Sequence, residues 1–244
     1  MKKEGYSIII SAYGSYNYIK ECLDSVQRQS FFKYNNNYEI LLGIDNCDKT
    51  LEKVKEIKEN YDNLKVFYMK KNVGTYITCN TLIDNVSYDK ILRFDSDDIM
   101  CDDMIENINK HIFRTDILRI KFVDFYDKLK FEDKLKIKKK KAHKSTIAHG
   151  IVCFKHSVFD KLGGYMSWKT SADTEIMRRS ENFFKSLIVH RPLFFRRIHK
   201  SSLTNNSATN HGSNLRKVYK KQIKETNYKK LIYIKREVSK FNIV

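Results

Sequence analysis

The stretch KILRFDSDDIM, residues 90 to 100, runs through apolar positions and then places three carboxylates, Asp95, Asp97 and Asp98, within four positions. Like charges this close repel, and a divalent cation between them relieves the repulsion. Two familiar acidic motifs do not fit. An EF-hand loop starting at Asp95 would need an oxygen ligand and a sharp-turn glycine where Ile99 and Met100 stand. A DxDxT-type phosphatase nucleophile would need a small β-branched residue at Ile99 and would follow the first strand of its domain, not the fourth. A solvated turn, with Asp98 or Asp102 capping the next helix, stays open as the plain alternative. Further candidates are Tyr13 and Asp45 after apolar runs, the acid pair Asp173 and Glu175 in SADTEIMRR, His199 in RRIHKSSLT, and Trp168, the only tryptophan.

These residues need a scaffold that brings distant segments together. YSIIISAY (6 to 13), YEILLGID (38 to 45), NLKVFYMK (63 to 70) and KILRFDSDD (90 to 98) read as strands, the first two as continuous apolar runs buried on both faces. Between them NYIKECLDSVQRQS, TLEKVKEIKENY and TYITCNTLIDNV read as helices, the first with Asn17 as its N-cap. Four alternations of strand and helix predict an α/β fold with a mostly parallel central sheet wrapped by helices. Ligands of such sheets collect at the carboxyl ends of the strands, where Tyr13, Asp45, Asp95 and Asp97 all fall.

The second half is less regular. DILRIKFVDFY (116 to 126) reads as a strand, FEDKLKIKKKKAHKS (131 to 145) as a basic surface excursion, and GIVCFKHSVFDKLGGY as strand, short helix and glycine turn. From residue 214 to 241 a basic amphipathic helix is expected, with Val218, Ile223, Leu231, Ile234 and Val238 sharing an apolar flank. That flank would lie on an anionic membrane, dock a partner, or pack back on the body of the protein.

The 47 Lys+Arg against 29 Asp+Glu give a formal charge of +18, which points to an anionic partner: phosphate, nucleic acid or an acidic membrane surface. The five cysteines are scattered and form no CxxC pair, so neither a zinc site nor a disulfide framework is signalled. With no apolar run long enough for a signal peptide or a membrane span, a cytoplasmic setting is expected, with the basic tail free to make peripheral contact at the inner face of the membrane.

Taken in order, SIIISAY, GIDNCDKT, NVGTYITCN, FDSDD, GGY and SADTEIMRR resemble the signatures of family 2 glycosyltransferases with the GT-A fold, over roughly residues 6 to 204. The resemblance implies a catalytic domain over 1–204 followed by a basic helical tail over 205–244, a nucleotide-sugar donor, and Mn²⁺ or Mg²⁺ as cofactor. It implies that Asp97, Asp95 and His199 hold the metal, and that Ser11, Tyr13, Asp45, Asn72, Gly74, Arg93 and Asp95 meet the donor. Asp98 is read as sharing the metal. Cys79 stands where the family often has a basic residue, which leaves that phosphate or ribose contact to Lys71 or Arg93. Asp173 takes the position of the family's catalytic base, with Glu175 as a second candidate, although Ala172 replaces the usual preceding acid. Trp168 would form a platform for a glycan, lipid or protein acceptor.

An inverting transfer from a UDP-sugar is the activity the resemblance implies. Two alternatives stand beside it: a nucleic-acid-binding or nucleotidyl-transferring protein, motivated by the charge, and a glycosyltransferase-like module without activity, motivated by Ala172 and Cys79. No zinc-finger or RNP-like aromatic pattern is present, so no nucleic-acid partner is expected.

Overall fold

The computed structural model describes residues 2–126, 146–200, 202, 205–210 and 212–244; the basic excursion over 131–145 lies outside them. Strands β1 (Lys3–Ala12), β2 (Tyr38–Ile44), β3 (Leu64–Met69) and β4 (Tyr88–Asp95) are joined by helices α1 (Ile19–Gln27), α2 (Asp48–Ile57) and α3 (Thr75–Asp84). They pair in parallel in the order β4-β1-β2-β3. Short β5 (Ile99–Met100) and α4 (Met104–Ile112) follow, then β6 (Ile117–Tyr126), β7 (Thr146–Lys155), α5 (His156–Leu162), α6 (Ala172–Ser180), β8 (Ser186–Ile198), α7 (Asn214–Glu225) and β9 (Phe241–Ile243). The full sheet runs β5-β8-β6-β7-β4-β1-β2-β3-β9, so the parallel strands at its heart carry antiparallel additions on both sides.

The apolar runs explain this layering. Ile8, Ile9 and Ile10 in β1 are all fully buried, with Ile8 and Ile10 packed on the face that carries α1, α2 and α4 and Ile9 on the face that carries α3, α5 and α6. Alternating side chains of one strand thus enter two different core layers, as a strand covered on both sides requires. Each such isoleucine removed from water contributes on the order of 2 kcal/mol.

Glu39 is buried in β2, where its carboxylate accepts from Ser7 Oγ, from Ser87 N and Oγ, and from Lys65 Nζ. Burial alone would raise its pKa, but the hydrogen bonds from Lys65, Ser87 and Ser7 outweigh this and hold it below the ordinary carboxylate value. A depressed acid stabilises the fold above its unfolded pKa and loses that contribution as pH falls through the folded one. Glu39→Gln is therefore expected to cost about 1–2 kcal/mol at pH 7. Urea unfolding at pH 7 and at acid pH checks this: the gap between wild type and variant should close as the solution is acidified.

Two expectations need correction, and one strand went unread. Helix α1 starts at Ile19 with Tyr18 as its N-cap residue and no side-chain cap, so Asn17 does not cap it. The long strand β8 was not assigned from the sequence, because Pro192 interrupts its pattern; the register against β6 shifts at that point. The basic helix stops at Glu225 instead of running to residue 241. Beyond Tyr228 exposure alternates, with Leu231, Tyr233 and Lys235 outward and Ile232, Ile234 and Arg236 partly covered, a two-residue period that suits extended chain.

The five apolar residues therefore share no helical flank: Ile223 is buried, while Val218, Leu231 and Val238 are exposed. The segment instead returns to the body, where Ile234 bridges Gly163, Ser239 N donates to Thr81 Oγ1 at 2.8 Å, and β9 extends the sheet beside β3. Gly163, at φ +77°, is required there, since a Cβ would lie 1.8 Å from the Ile234 carbonyl oxygen. Among the described residues no helix is long and apolar enough to cross a membrane.

Candidate active site

The carboxyl ends of β1, β2 and β4 meet at one edge of the sheet. Ser11 is in register with Gly43 on one side and Asp95 on the other, which places the end of β1 between the two acidic strand ends. Tyr13 lies just past β1 and is 66% exposed. Asp45 follows β2 and is buried; its two carboxylate oxygens accept from Val73 N at 2.7 Å and Gly74 N at 2.8 Å. Asn72 Nδ2 donates to the Asp45 backbone carbonyl, so Asp45 holds the whole Asn72–Gly74 loop against the sheet. Gly74 adopts φ +85°, ψ 161°, a conformation that only glycine reaches without strain, and it leads directly into α3. Burial raises the Asp45 pKa, and the two backbone N–H groups oppose the rise.

The acidic cluster divides its labour. Asp95 Oδ1 accepts from Arg93 Nη2 at 2.8 Å, and Asp97 Oδ2 lies 2.7 Å from His199 Nε2. Ser96 between them shares a 2.6 Å hydrogen bond with Ser15 on the β1–α1 loop. Asp98 is buried, and its Oδ1 accepts the backbone N–H of Arg197 at 2.8 Å, so it clamps the end of β8. Asp98, expected to share the metal, thus has one carboxylate oxygen engaged by the end of β8, and α4 begins after Asp103 with no side-chain cap. Burial, then the charges of Asp97 and Asp95, raise the Asp98 pKa. For Asp95 burial raises the pKa, Arg93 opposes this, and Asp97 and Asp173 add to the rise.

Arg93 is buried beside Asp95, with Nη1 donating to Gly150 O at 2.9 Å and the guanidinium 5.6 Å from the centre of the Tyr76 ring. A Cβ on Gly150 would come within 2.7 Å of Nη1, so a side chain there would push the end of Arg93 aside. The Arg93 charge reaches Cys79 of α3, whose thiol burial pushes up to about 11. A cation therefore does stand by Cys79, supplied from β4; Lys71 is exposed.

Asp173 sits in the first turn of α6, partly exposed, with Oδ1 accepting Thr174 N at 2.7 Å. Its charge raises the pKa of both Asp95 and Tyr76, so α6 delivers this acid to the same edge as the cluster on β4. Glu175 does not join it. Glu175 is buried and pairs at 2.9 and 3.0 Å with Arg179, which is fully buried and donates in turn to the carbonyls of Leu162 and Gly164. Expected as a second base, it stands in the structure as the counter-ion of Arg179. Glu175→Ala would strand the Arg179 charge and is expected to cost about 3–5 kcal/mol, checked by the fall in urea midpoint. Trp168 is half-buried and stacks on Tyr219 of α7, ring centroids 4.4 Å apart and planes 2° from parallel.

Sequence reading missed the side chains that tie this site to β8. Arg197 Nε donates to the Asp97 carbonyl at 2.8 Å, its Nη2 pairs with Glu21, and its guanidinium lies 4.7 Å from the centres of the Tyr18 and Phe125 rings. Tyr18 also packs against His199, ring centroids 4.8 Å apart. These partners are separated by up to 176 positions, so no local spacing announces them.

Among the described residues no three His, Cys, Asp or Glu side chains already gather into a metal-holding group. The oxygen of Asp97 and the nitrogen of His199, brought together at the site edge, nevertheless suit Mn²⁺ or Mg²⁺ of the kind that takes one or two protein ligands and completes its shell with phosphate oxygens and water.

Comparisons with known proteins bear on the family and the fold. Glycosyltransferase GlyA of Streptococcus pneumoniae is 31% identical over 107 residues, 43% of this chain and 15% of that protein. An uncharacterised glycosyltransferase of Haemophilus influenzae is 29% identical over 110 residues, 45% of this chain and 33% of that protein. The matches thus span less than half of either relative. Among solved structures, S. aureus TarS 1–349 in complex with UDP-GlcNAc superposes with a TM-score of 0.66 at 18% identity, covering 81% of this chain and 60% of that one. Mannosyltransferase PcManGT from Pyrobaculum calidifontis, in complex with GDP-Man and Mn²⁺, gives 0.68 at 15% identity, covering 92% and 66%. These likenesses show the GT-A fold. The family described as Glycosyl transferase family 2 matches residues 7–163, well over half of the sequence, and the chain belongs to it.

Proposed function

We propose that this glycosyltransferase is inverting and metal-dependent, and that it moves a sugar from a nucleotide-sugar donor, a UDP-sugar, to a hydroxyl of a glycan, lipid or protein acceptor. The observation that carries the reading is the pairing of Asp97 with His199 at the sheet edge where Asp45, Asp95 and Asp173 also gather. Asp97 and His199 would hold Mn²⁺ or Mg²⁺, which when bound stabilises the charge of the departing diphosphate.

The chain's own residues supply the rest. Asp45 orients the Asn72–Gly74 loop beneath the donor, and each of its oxygens keeps a lone pair that can accept a base N–H such as that of uracil. Tyr13, exposed beside it, offers a ring face to the base, and Ser11 lies at the same strand end. Asp95, oriented by Arg93, is placed to accept from the ribose hydroxyls. Asp173 takes the proton of the acceptor hydroxyl as the oxygen attacks the anomeric carbon and the nucleoside diphosphate leaves from the opposite face. Trp168 contributes an apolar wall on the acceptor side.

PcManGT was solved with GDP-Man and TarS with UDP-GlcNAc, so base and sugar are tested together. Hydrolysis of UDP-GlcNAc, UDP-glucose, UDP-galactose and GDP-mannose, with Mn²⁺ or with EDTA, should show release of UDP from one donor and only with metal. Turnover of GDP-mannose alone would overturn the choice of base. Turnover of none, with nucleotide bound normally, would favour the module without activity.

A further inference from the structure

Arg197 and the acidic loop clasp one another. The Arg197 backbone N–H donates to the Asp98 side chain at 2.8 Å, while the Arg197 side chain donates to the Asp97 backbone carbonyl at 2.8 Å. The two segments lie about a hundred positions apart, so this reciprocal pair fixes the end of β8 against the end of β4 at a single register. His199 is two residues beyond Arg197, and its ring reaches Asp97 only if that register holds.

The guanidinium is itself held from several sides. Glu21 of α1 pairs with Nη2, the Tyr18 and Phe125 rings flank the planar group, and the Arg197 side chain is 4% exposed. A planar fork that bonds in two directions while its faces lie on rings is a task that arginine performs and lysine does not. Tyr18 touches both the guanidinium and the His199 ring, adding a second route from this clasp to the candidate ligand.

We infer that Arg197, braced by Glu21, is a positioning residue that sets Asp97 and His199 at the spacing needed for a divalent cation, without touching the cation itself. The inference rests on the proposed metal role of Asp97 and His199. In metal sites the groups that orient the ligands control affinity by roughly ten- to a hundred-fold. Arg197 should act here through a main-chain carbonyl and a strand end, in place of the usual hydrogen bond to a ligand ring.

The test is Mn²⁺ titration of the full chain followed by the electron paramagnetic resonance of free Mn²⁺, with and without UDP, alongside thermal melting. Arg197→Lys keeps the charge beside Glu21 and is expected to fold, yet to weaken Mn²⁺ binding about ten-fold or more. Glu21→Gln keeps the shape and should weaken it by a smaller factor, in the same direction. UDP affinity measured in EDTA should not change in either variant, which a general loosening of the fold would not allow.

Wild-type Mn²⁺ affinity in both folded variants, with binding lost in Asp97→Ala, would overturn this inference alone. Should Arg197→Lys fail to fold, wild-type affinity in Glu21→Gln would overturn it equally. No Mn²⁺ binding by the wild type, with or without UDP, would overturn the metal reading and this inference with it.

Discussion

Asp97→Ala is expected to lower kcat/KM for the nucleotide sugar by at least about 10³-fold, because several kcal/mol of charge stabilisation at the diphosphate depends on the cation this carboxylate would hold. The fold should survive, since the Asp97 side chain is 24% exposed and, among the described residues, its side-chain partner is His199. The Asp97 main-chain bond to Arg197 is independent of the side chain, so the clasp to β8 stays in place. His199→Ala removes only the second ligand and should cost less, with part of the activity recovered at high Mn²⁺. A measurement of kcat/KM across Mn²⁺ concentrations separates the two variants. Full activity of folded Asp97→Ala would remove the basis of the metal assignment.

Asp173→Asn is the second large effect. Loss of a positioned base lowers rates by about 10²–10⁴-fold. The fall should appear in kcat, while the KM for donor stays near that of the wild type, because Asp173 would face the acceptor. Glu175 offers an internal contrast: both acids lie in the first turn of α6, yet only Glu175 is bonded to a buried arginine. A substitution there should act through stability and leave the rate of the remaining folded protein far less changed. Equal losses of kcat in folded Asp173→Asn and folded Glu175→Gln would contradict the division of roles.

How far the sequence speaks depends on the reach of each interaction. The parallel heart of the sheet was legible because buried strands such as SIIIS and EILLGI carry their burial in their own composition. The placement of Asp45, Asp95 and Asp97 followed from topology, since parallel strands end on one edge. Burial of a charge against a distant partner was not legible. Glu175 and Asp98 look as reactive in the sequence as Asp173 and Asp97, and only the positions of Arg179 and of the Arg197 backbone show what each is bonded to. Arg93 filling the space beside Cys79 depends on Gly150, which lies 57 positions away. The tail misled for a local reason: lysine-rich chain with apolar residues three to eight apart reads as helix, whereas the docking of Ile234 on Gly163 and of β9 on β3 is a tertiary choice.

The central claim is that a nucleotide and a divalent cation bind together at the edge where Asp97 meets His199. The most direct measurement is the thermal stabilisation of wild type and Asp97→Ala by UDP, GDP, CMP and ADP, each with Mn²⁺ and with EDTA. The account predicts a rise in melting temperature of wild type with UDP that is much larger when Mn²⁺ is present, with the Mn²⁺-dependent part absent from Asp97→Ala. An equal rise in the two proteins, or no rise with any nucleotide, would contradict it.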